Sequence, residues 1–475
     1  MNLGTCRANR GGKICWFDRI FKADARSQRG EGVGERFQPW EELRVATIAK
    51  SLEWKLAAIH ADPANCPEFI LADAKDADMA FGVGSPGRSP ERPDGPGAFR
   101  TLAEYRELIR QIVRSEFVDI MLMSASTSEV LTIDEGLFDN SPVTPAARAN
   151  DTTDIHVLRG GAVHLAPSHP FRTATIDHIQ CGEIDCPPGA RRRGANLGLY
   201  SLTFNNEPER DRLALEQFKL FREEAERKGF QYFLEVFDPN VPGVVRPERL
   251  AEFINDAIAR TLAGVTRAGR PLFLKIVYHG PQALEELVRY DPHLVVGVLG
   301  GSAGTTRDAF QLLHDTRKYG GRVALFGRKI NNAENQLAFV QLLRLIADGQ
   351  LEPGEAVRAY HAVLQRLGIA PTRPLEHDLQ ITDQSMSYAG TKTISAPAAT
   401  PPRELPPAPV ASPTASEPPP AAQLSPSPAP AATEPPTGKP AASGPPDWSR
   451  LTPAERLQYH RDRLNRMLGD SGRRG

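Results

Sequence analysis

The sequence has almost no net charge, few cysteines and no long apolar run. Its 475 residues include 57 Lys or Arg and 58 Asp or Glu, a formal net charge of -1, so charge gives no reason to expect nucleic acid or an anionic membrane as a partner. No window approaches about 18 consecutive apolar residues, and the first residues lack the apolar core of a signal peptide. Five scattered cysteines suit a reducing compartment better than a disulfide framework. We therefore expect a cytoplasmic protein.

One segment near the C-terminus has almost no aromatic or β-branched residues. Residues 391–446 are rich in proline and alanine instead, a composition that buries too little apolar surface to offset the entropy of ordering, so we predict a disordered linker. Residues 447–475 then contain a predicted short amphipathic helix with Thr452 as N-cap and Gly469 at its end. This helix is either marginal in water or a docking motif for a protein partner or for the chain's own surface. Residues 1–52 are an N-terminal extension of unassigned function.

Short apolar runs alternate with amphipathic helical patterns between residues 53 and 390. Continuous runs of Val, Ile, Leu and Phe are typical of parallel strands that are covered on both faces. The predicted strands cover residues 68–76, 117–126, 143–151, 196–205, 230–238, 271–280, 293–301 and 322–330. Helices are predicted over 209–229, 246–269, 281–290, 305–321 and 333–349. Eight such units predict a (β/α)8 TIM barrel; a doubly wound open sheet is the alternative, and it needs a reversal of strand order.

A lysine lies in the middle of the sixth predicted strand, "PLFLKIVYHG". Because side chains alternate along a strand, Lys275 points either into the barrel or under the outer helices. An ammonium group packed beneath helices is costly unless it is paired, whereas the C-terminal mouth of the barrel is where this fold places its chemistry. A dry site there favours the neutral, nucleophilic amine. We predict that Lys275 is catalytic; the alternative is a structural lysine neutralised by a carboxylate in the barrel.

Glycine-rich turns follow the seventh and eighth predicted strands. The first, "VLGGSAGTT" at 298–306, leads into a predicted helix, so backbone N–H groups and the helix N-terminus can face an anion. The second, "ALFGRKINN" at 324–332, adds Arg328, whose guanidinium can bind a phosphate through two hydrogen bonds. Loops after these two strands are the usual phosphate site of a TIM barrel. The pattern therefore predicts a phosphorylated ligand.

Three stretches together, "FLKIVYHG", "VVGVLGGSAGTT" and "RVALFGRKINNAENQLAFVQLL", resemble the archaeal-type class I fructose-bisphosphate aldolases. That family belongs with the deoxyribose-phosphate and tagatose-bisphosphate type aldolases, which are TIM barrels that form a Schiff base with the substrate carbonyl. The resemblance is strong over residues 195–350 and fainter back to 65. It implies that Lys275 is the Schiff-base lysine and that no metal or other cofactor is needed. The phosphate-binding residues that it implies are Gly300, Gly301, Ser302, Gly327 and Arg328.

The same resemblance suggests acid and base residues, and one departure from the family puts them in doubt. Asp73 resembles the first-strand aspartate that orients the substrate, and Glu129 is a weaker match to an acid after the second strand. The family has a tyrosine general acid at the end of the fifth strand, where this sequence has Phe237. A phenyl ring cannot exchange a proton. Either Glu235 or Asp238 takes that role, or the substrate and the reaction differ.

Histidines and cysteines concentrate between the third and fourth predicted strands. These residues are His164, His169, His178, Cys181 and Cys186. Their spacing matches no zinc-ligand template and includes no Cys-x2-Cys pair, so we predict no metal site. Alternation in "TATIDHI" favours a strand, and we predict a β-hairpin lid over the barrel mouth at about 155–185.

Together these observations predict a class I aldolase, a metal-independent lyase that cleaves a C–C bond in a phosphorylated sugar or a related carbonyl compound. We expect a homo-oligomer with a small-molecule sugar phosphate as its substrate. Two alternatives stay open. One is a barrel that lost its general acid at Phe237 and serves as a phosphate-ligand-binding scaffold; the other is a related Schiff-base lysine transferase.

Overall fold

The computed structural model describes residues 48–89, 92, 98–301, 304–383, 455, 458 and 459. The predicted linker at 391–446 and most of the predicted N-terminal extension therefore lie outside the described residues. Of the predicted terminal helix, residues 455, 458 and 459 are described, and all three are helical.

Eight parallel strands close into a barrel in which neighbours along the chain are neighbours in the sheet. They are β1 (Ile70–Lys75), β2 (Ile120–Met123), β3 (Thr144–Arg148), β4 (Leu197–Thr203), β5 (Gln231–Phe237), β6 (Leu274–Ile276), β7 (Val296–Leu299) and β8 (Val323–Phe326). Closure occurs where β1 pairs with β8, with Ile70 opposite Val323. Each strand lies inside its predicted range, so the predicted TIM barrel is confirmed and the open sheet is wrong.

Helices cover the outside of the barrel, and the first of them also adds Leu52, Leu56 and Ile59 to the core inside it. The longer ones are α1 (Ser51–Ala61), α2 (Leu102–Ser115), α3 (Pro208–Lys228), α4 (Leu250–Ala263), α5 (Pro281–Tyr290), α6 (Thr306–Lys318), α7 (Gln336–Ala347) and α8 (Pro353–Arg366). Short helical segments cover Asp78–Phe81, Ala125–Ser128, Ile176–Cys181, Arg328–Asn331 and Leu375–Asp378, and a π-helix covers Glu129–Asp134. Single 3-10 turns cover Gly82–Gly84, Val163–Leu165, Pro188–Ala190, Pro247–Arg249 and Arg267–Gly269. None of the helices in the described part of the chain is both long and apolar enough to cross a membrane.

Alternate side chains of each strand enter two separate apolar cores. Leu274 and Ile276 of β6 pack in the core between the strands and the helices. Phe233 of β5 and Phe273 of β6 belong to the core inside the barrel, where their rings stack with centroids 4.6 Å apart. Because side chains two residues apart share a face, Lys275 points into the barrel, one layer above Phe273.

The insertion between β3 and β4 is only in part the predicted hairpin. Two strands of two residues, Asp151–Thr152 and Pro170–Phe171, pair antiparallel. The stretch "TATIDHI" was expected to be a strand, but it contains the helix Ile176–Cys181, since the Thr175 hydroxyl accepts a hydrogen bond from the His178 N–H and caps the helix start. Cys181 and Cys186 form a disulfide, which differs from the expectation of free thiols.

Candidate active site

A cavity at the C-terminal ends of the strands contains Lys275. Side chains and turns from β1, β3, β6, β7 and β8 line it, among them Lys275, Arg148, Asp76, Gly300, Gly301, Gly327 and Arg328. The structure thus brings Lys275 together with four of the five predicted phosphate-binding residues. The fifth, Ser302, lies outside the described residues.

The amine of Lys275 is in contact with a buried carboxylate. Lys275 Nζ lies 2.5 Å from Glu235 Oε1, and the two side chains are 7% and 0% exposed. The pairing of β5 with β6 places Glu235 beside Lys275 on the same face of the sheet. A carboxylate in this position can take a proton from the amine and return it.

An arginine and a serine hold the other oxygen of Glu235. Ser201 Oγ donates a hydrogen bond of 2.7 Å to Glu235 Oε2, and Arg148 Nη2 lies 3.5 Å from the same oxygen. Arg148 Nη1 also donates to Ser201 Oγ, and its Nε donates to Asp76 Oδ2 at 2.5 Å. Asp76, Arg148, Glu235 and Lys275 therefore form a buried row of alternating charge. Opposite charges in a low-dielectric interior fix each other's positions strongly.

Sequence reasoning named Asp73, but the structure brings Asp76 to the cavity instead. Ala72 and Ala74 of β1 belong to the core inside the barrel, so Asp73 and Lys75 point outward beneath the helices. There Asp73 Oδ2 lies 3.2 Å from Lys75 Nζ, and both side chains are 0% exposed. Burial raises the pKa of Asp73 to about 6, although Lys75 opposes that shift.

Glu129 also lies away from the cavity. A short helix, Ala125–Ser128, begins directly after β2 and continues into the π-helix that starts at Glu129. The side chain of Glu129 is exposed and lies near Gly182 of the insertion. The predicted match of Glu129 to a family acid therefore has no geometric support.

Phe237 and Asp238 lie at the C-terminal end of β5, near the barrel mouth, as the sequence predicted. Phe237 lies on the same face of β5 as Glu235, one layer nearer the mouth, inside a small apolar cluster. Asp238, the other candidate acid, pairs with His279, with its Oδ1 2.9 Å from His279 Nε2. Neither residue lines the cavity that contains Lys275.

The glycine turns that line the cavity approach other backbone closely. A Cβ at Gly327 would lie 2.7 Å from the Ala74 carbonyl oxygen, and Gly301 has a φ of +55°, so both positions favour glycine. The Gly300 N–H donates to the Leu325 carbonyl at 2.7 Å. Arg328 completes this end of the cavity, with its guanidinium carbon 5.1 Å from the centre of the Phe81 ring.

The start of α6 differs from the predicted anion site. The Thr305 N–H donates to Asp308 Oδ2, and the Thr306 N–H donates to Asp378 Oδ1, each at 2.7 Å. Protein carboxylates thus already occupy the first amides of the helix. Lys329 Nζ donates to the Gly304 carbonyl at 2.8 Å, and burial lowers the pKa of Lys329 to about 8. The turn is therefore tied to the segment that carries Arg328.

No group of three or more His, Cys, Asp or Glu side chains within the described ranges could hold a metal ion. The histidines of the insertion contact protein groups instead. His169 Nδ1 lies 3.0 Å from Arg210 Nη1, and His178 Nδ1 lies 2.9 Å from Thr175 Oγ1.

Among solved structures, similar chains include Schiff-base aldolases at low sequence identity. An archaeal fructose 1,6-bisphosphate aldolase is 15% identical with a TM-score of 0.44, and the match covers 62% of this chain and 99% of that one. Another archaeal fructose-1,6-bisphosphate aldolase structure, with its catalytic lysine covalently bound to the carbinolamine intermediate of the substrate, is 16% identical with a TM-score of 0.44 and covers 62% and 100%.

The fructose-bisphosphate aldolase from Slackia heliotrinireducens is 14% identical with a TM-score of 0.47, and the match covers 67% of this chain and 93% of that one. No protein-family model matches the chain, and no curated protein matches it by sequence. Similarity this distant leaves the fold to be assigned from the closed barrel itself and leaves function to be argued from the site.

Proposed function

We propose that this protein is a class I, Schiff-base aldolase that cleaves or forms a C–C bond in a phosphorylated sugar or related carbonyl compound. One observation carries the proposal: the amine of Lys275, in contact with Glu235, shares a cavity with Arg328 and the glycine turns after β7 and β8. An amine and a phosphate site in one cavity hold a carbonyl near its nucleophile. The resemblance of these same stretches to archaeal-type aldolases points to the same chemistry.

The first half of the reaction joins Lys275 to the substrate. Glu235 accepts a proton from the amine, and the nitrogen lone pair attacks the carbonyl carbon while the carbonyl π pair moves to oxygen. That oxygen takes a proton to give a carbinolamine. A second proton on the hydroxyl allows water to leave, and the nitrogen lone pair completes an iminium.

The second half breaks the C–C bond. The bond that breaks joins the carbon next to the iminium carbon to the carbon that follows. A base removes the proton of the hydroxyl on this following carbon, whose oxygen becomes the aldehyde carbonyl, and the bond's electron pair moves to the iminium and leaves an enamine on Lys275. Protonation of the enamine carbon and hydrolysis then release the second product and the free amine. We assign the base to Asp76, since it lines the cavity and Arg148 orients its carboxylate. Glu235 is 0% exposed and serves the amine rather than the substrate.

Borohydride trapping tests this function. Reduction of an iminium fixes the substrate on the enzyme, so incubation with a panel of sugar phosphates and borohydride should add the mass of a reduced adduct to Lys275. Asp76→Asn should still form the adduct but release product at least about a hundredfold more slowly. Binding of sugar phosphates with no adduct from any of them would contradict the proposal. It would favour the alternative of a phosphate-ligand-binding scaffold, which is based on Phe237 at the position where the family has a tyrosine.

Product analysis separates the aldolase from a Schiff-base transferase. An aldolase releases an aldehyde and a second carbonyl compound from one substrate, whereas a transferase needs an acceptor. The cytoplasmic location and the homo-oligomer expected from the sequence remain proposals, and so does a protein partner for the terminal helix.

A further inference from the structure

The outward-facing Lys75 is held by three acceptors that come from different parts of the chain. Its Nζ donates hydrogen bonds to Asn331 Oδ1 at 2.6 Å and to Gln336 Oε1 at 2.9 Å, and it lies 3.2 Å from Asp73 Oδ2. An ammonium group has three N–H donors, so these partners satisfy it. Because the side chain is 0% exposed, the loss of any one partner leaves a buried donor unsatisfied.

Two of these partners lie at the two ends of the connection that follows β8. Asn331 is the last residue of the short helix Arg328–Asn331, and Gln336 is the first residue of α7. Gln336 Nε2 also donates to the Asn331 carbonyl at 3.2 Å. Lys75 therefore ties both ends of this connection to β1, and the short helix that it holds begins with Arg328.

Asn331 also contacts the segment after β1, which forms a neighbouring wall of the cavity. Its Nδ2 donates to the Ser85 carbonyl at 3.3 Å. Ser85 follows the short helix that ends at Phe81, whose ring lies 5.1 Å from the guanidinium carbon of Arg328. Phe81 and Arg328 both line the cavity. A network centred on Lys75, outside the barrel, thus joins the two segments that carry these side chains.

A buried ion pair of this kind is not needed for stability alone. Apolar side chains of similar volume can often replace both partners of such a pair without loss of stability, because they avoid the cost of desolvating the charges. A satisfied polar network instead fixes its members in one arrangement, since each hydrogen bond requires a particular direction. Arg328 shares a single helical turn with Asn331, so what fixes Asn331 also fixes the backbone of Arg328.

We propose that Lys75 is a positioning residue for the candidate active site: through Asn331 and Gln336 it holds the short helix so that the Arg328 guanidinium lines the cavity and faces the Phe81 ring. Lys75 affects a ligand only through Arg328. The inference rests on the proposed function in one respect, which is the binding of an anion by Arg328. The position of the guanidinium can be measured without any ligand.

Chemical modification of arginine measures this position. Phenylglyoxal reacts with accessible guanidinium groups, and peptide mapping of the full chain gives the rate at Arg328 relative to the rate at Arg159, which lies over the Phe99 ring instead. Lys75→Met should raise this ratio about threefold, the factor that corresponds to the loss of a cation–π contact. An unchanged ratio in the folded variant overturns the proposal.

Lys55→Met is the matched control for the loss of a buried lysine. Lys55 Nζ lies 2.7 Å from Asp119 Oδ1 and donates to the Phe69 carbonyl, at the end of β1 opposite the cavity. This variant should destabilise the fold as Lys75→Met does and leave the modification ratio unchanged. An equal rise in both variants contradicts a specific role for Lys75.

Gln336→Met repeats the test if Lys75→Met does not fold. It removes one of the three acceptors of Lys75 and leaves the pair with Asp73 in place. The modification ratio should rise about twofold, since one of the hydrogen bonds that hold the short helix is lost. A ratio equal to that of the unchanged protein overturns the proposal.

A double-mutant cycle separates the positioning role from the proposed function. Calorimetry with inorganic phosphate should show about threefold weaker binding in Lys75→Met and no further weakening when this change is added to Arg328→Met, because Lys75 acts through Arg328. Equal weakening in both backgrounds contradicts the positioning role. If Arg328→Met binds phosphate as the unchanged protein does, the anion role proposed for Arg328 is wrong, and a raised modification ratio in Lys75→Met still supports the positioning.

Discussion

Two lysines lie on strands of this barrel, each is buried and each faces a carboxylate, and of the two it is Lys275 that lines the cavity at the barrel mouth. Lys75 pairs with Asp73 between β1 and the outer helices and also donates to Asn331 and Gln336. Lys275 pairs with Glu235 inside the barrel and lines the same cavity as Arg328 and the glycine turns after β7 and β8. The two lysines differ in this way because Lys75 lies on the outward face of its strand and Lys275 lies on the inward face. A buried pair of a lysine and a carboxylate is a candidate for catalysis when it points into the barrel mouth. It is a structural ion pair when it points toward the outer helices.

Removal of the two amines should give the largest contrast. Lys275→Met should abolish the borohydride-trapped adduct, since Lys275 is the lysine among the described residues that line the cavity, whereas Lys75→Met should keep the adduct. We expect Lys75→Met to lower the free energy of unfolding by about 3 kcal/mol, because it leaves Asp73 buried without its partner. Mass spectrometry measures the adduct and urea unfolding measures the stability. An adduct that survives Lys275→Met would contradict the assignment.

The next largest difference is expected between variants of the two carboxylates, Glu235 and Asp73, in the rate of adduct formation. Glu235→Gln should slow adduct formation about a hundredfold, because an amide cannot accept the proton of the Lys275 amine. Asp73→Asn is the matched control, and its trapping rate should stay within about twofold of the unchanged protein. Single-turnover trapping with one sugar phosphate gives both rates. Equal rates for the two variants would mean that the contact between Glu235 and Lys275 is structural.

Arg328 should matter to a lesser degree and only for phosphorylated ligands. Arg328→Met should weaken the binding of a sugar phosphate about tenfold to a hundredfold, the size expected for lost charge-assisted hydrogen bonds. Arg159→Met is the matched control, since Arg159 also lies over a phenyl ring, at 5.8 Å from the centre of Phe99, but does not line the cavity. Calorimetry with inorganic phosphate and a sugar phosphate measures the effect. Equal losses in both variants would contradict a phosphate role for Arg328.

The pair of Asp73 and Lys75, which points toward the outer helices, should make the free energy of unfolding depend on pH. Burial raises the pKa of Asp73 from 3.8 to about 6, so the folded state retains this proton at pH values where the unfolded state has lost it. Its contribution to stability is therefore full below about pH 4 and is lost as pH rises through about 6. The free energy of unfolding of the natural protein minus that of Asp73→Asn should fall by up to about 3 kcal/mol from about pH 3 to pH 7. Urea titrations across this range would show a constant difference if the interpretation is wrong.

The fold was predictable because its signals are local. Runs such as "RVALF" and "HLVVGVLGG" identify buried parallel strands, and the glycine turns after the last two strands are visible as letters. Lys275 was predictable for the same reason, since a charge inside an apolar run needs an explanation.

The partners of Lys275 were harder to predict because they depend on strand phase and on distant strands. A strand buried on both faces shows no alternation, so the sequence "ILADAKDADM" does not reveal whether Asp73 or Asp76 points inward. The structure shows where this strand ends, because a short helix begins at Asp78, and this fold places its chemistry at that end of the strand. Arg148 and Ser201 come from β3 and β4, and nothing in their own segments indicates that they meet Glu235.

The measurement that tests the central claim most directly is peptide mapping of the full chain after reduction with borohydride and dihydroxyacetone phosphate. The account predicts one modified site, on the peptide that contains Lys275, and no modification of the peptide that contains Lys75. Modification spread over several lysines, or a substrate that binds and leaves Lys275 unmodified, would contradict it.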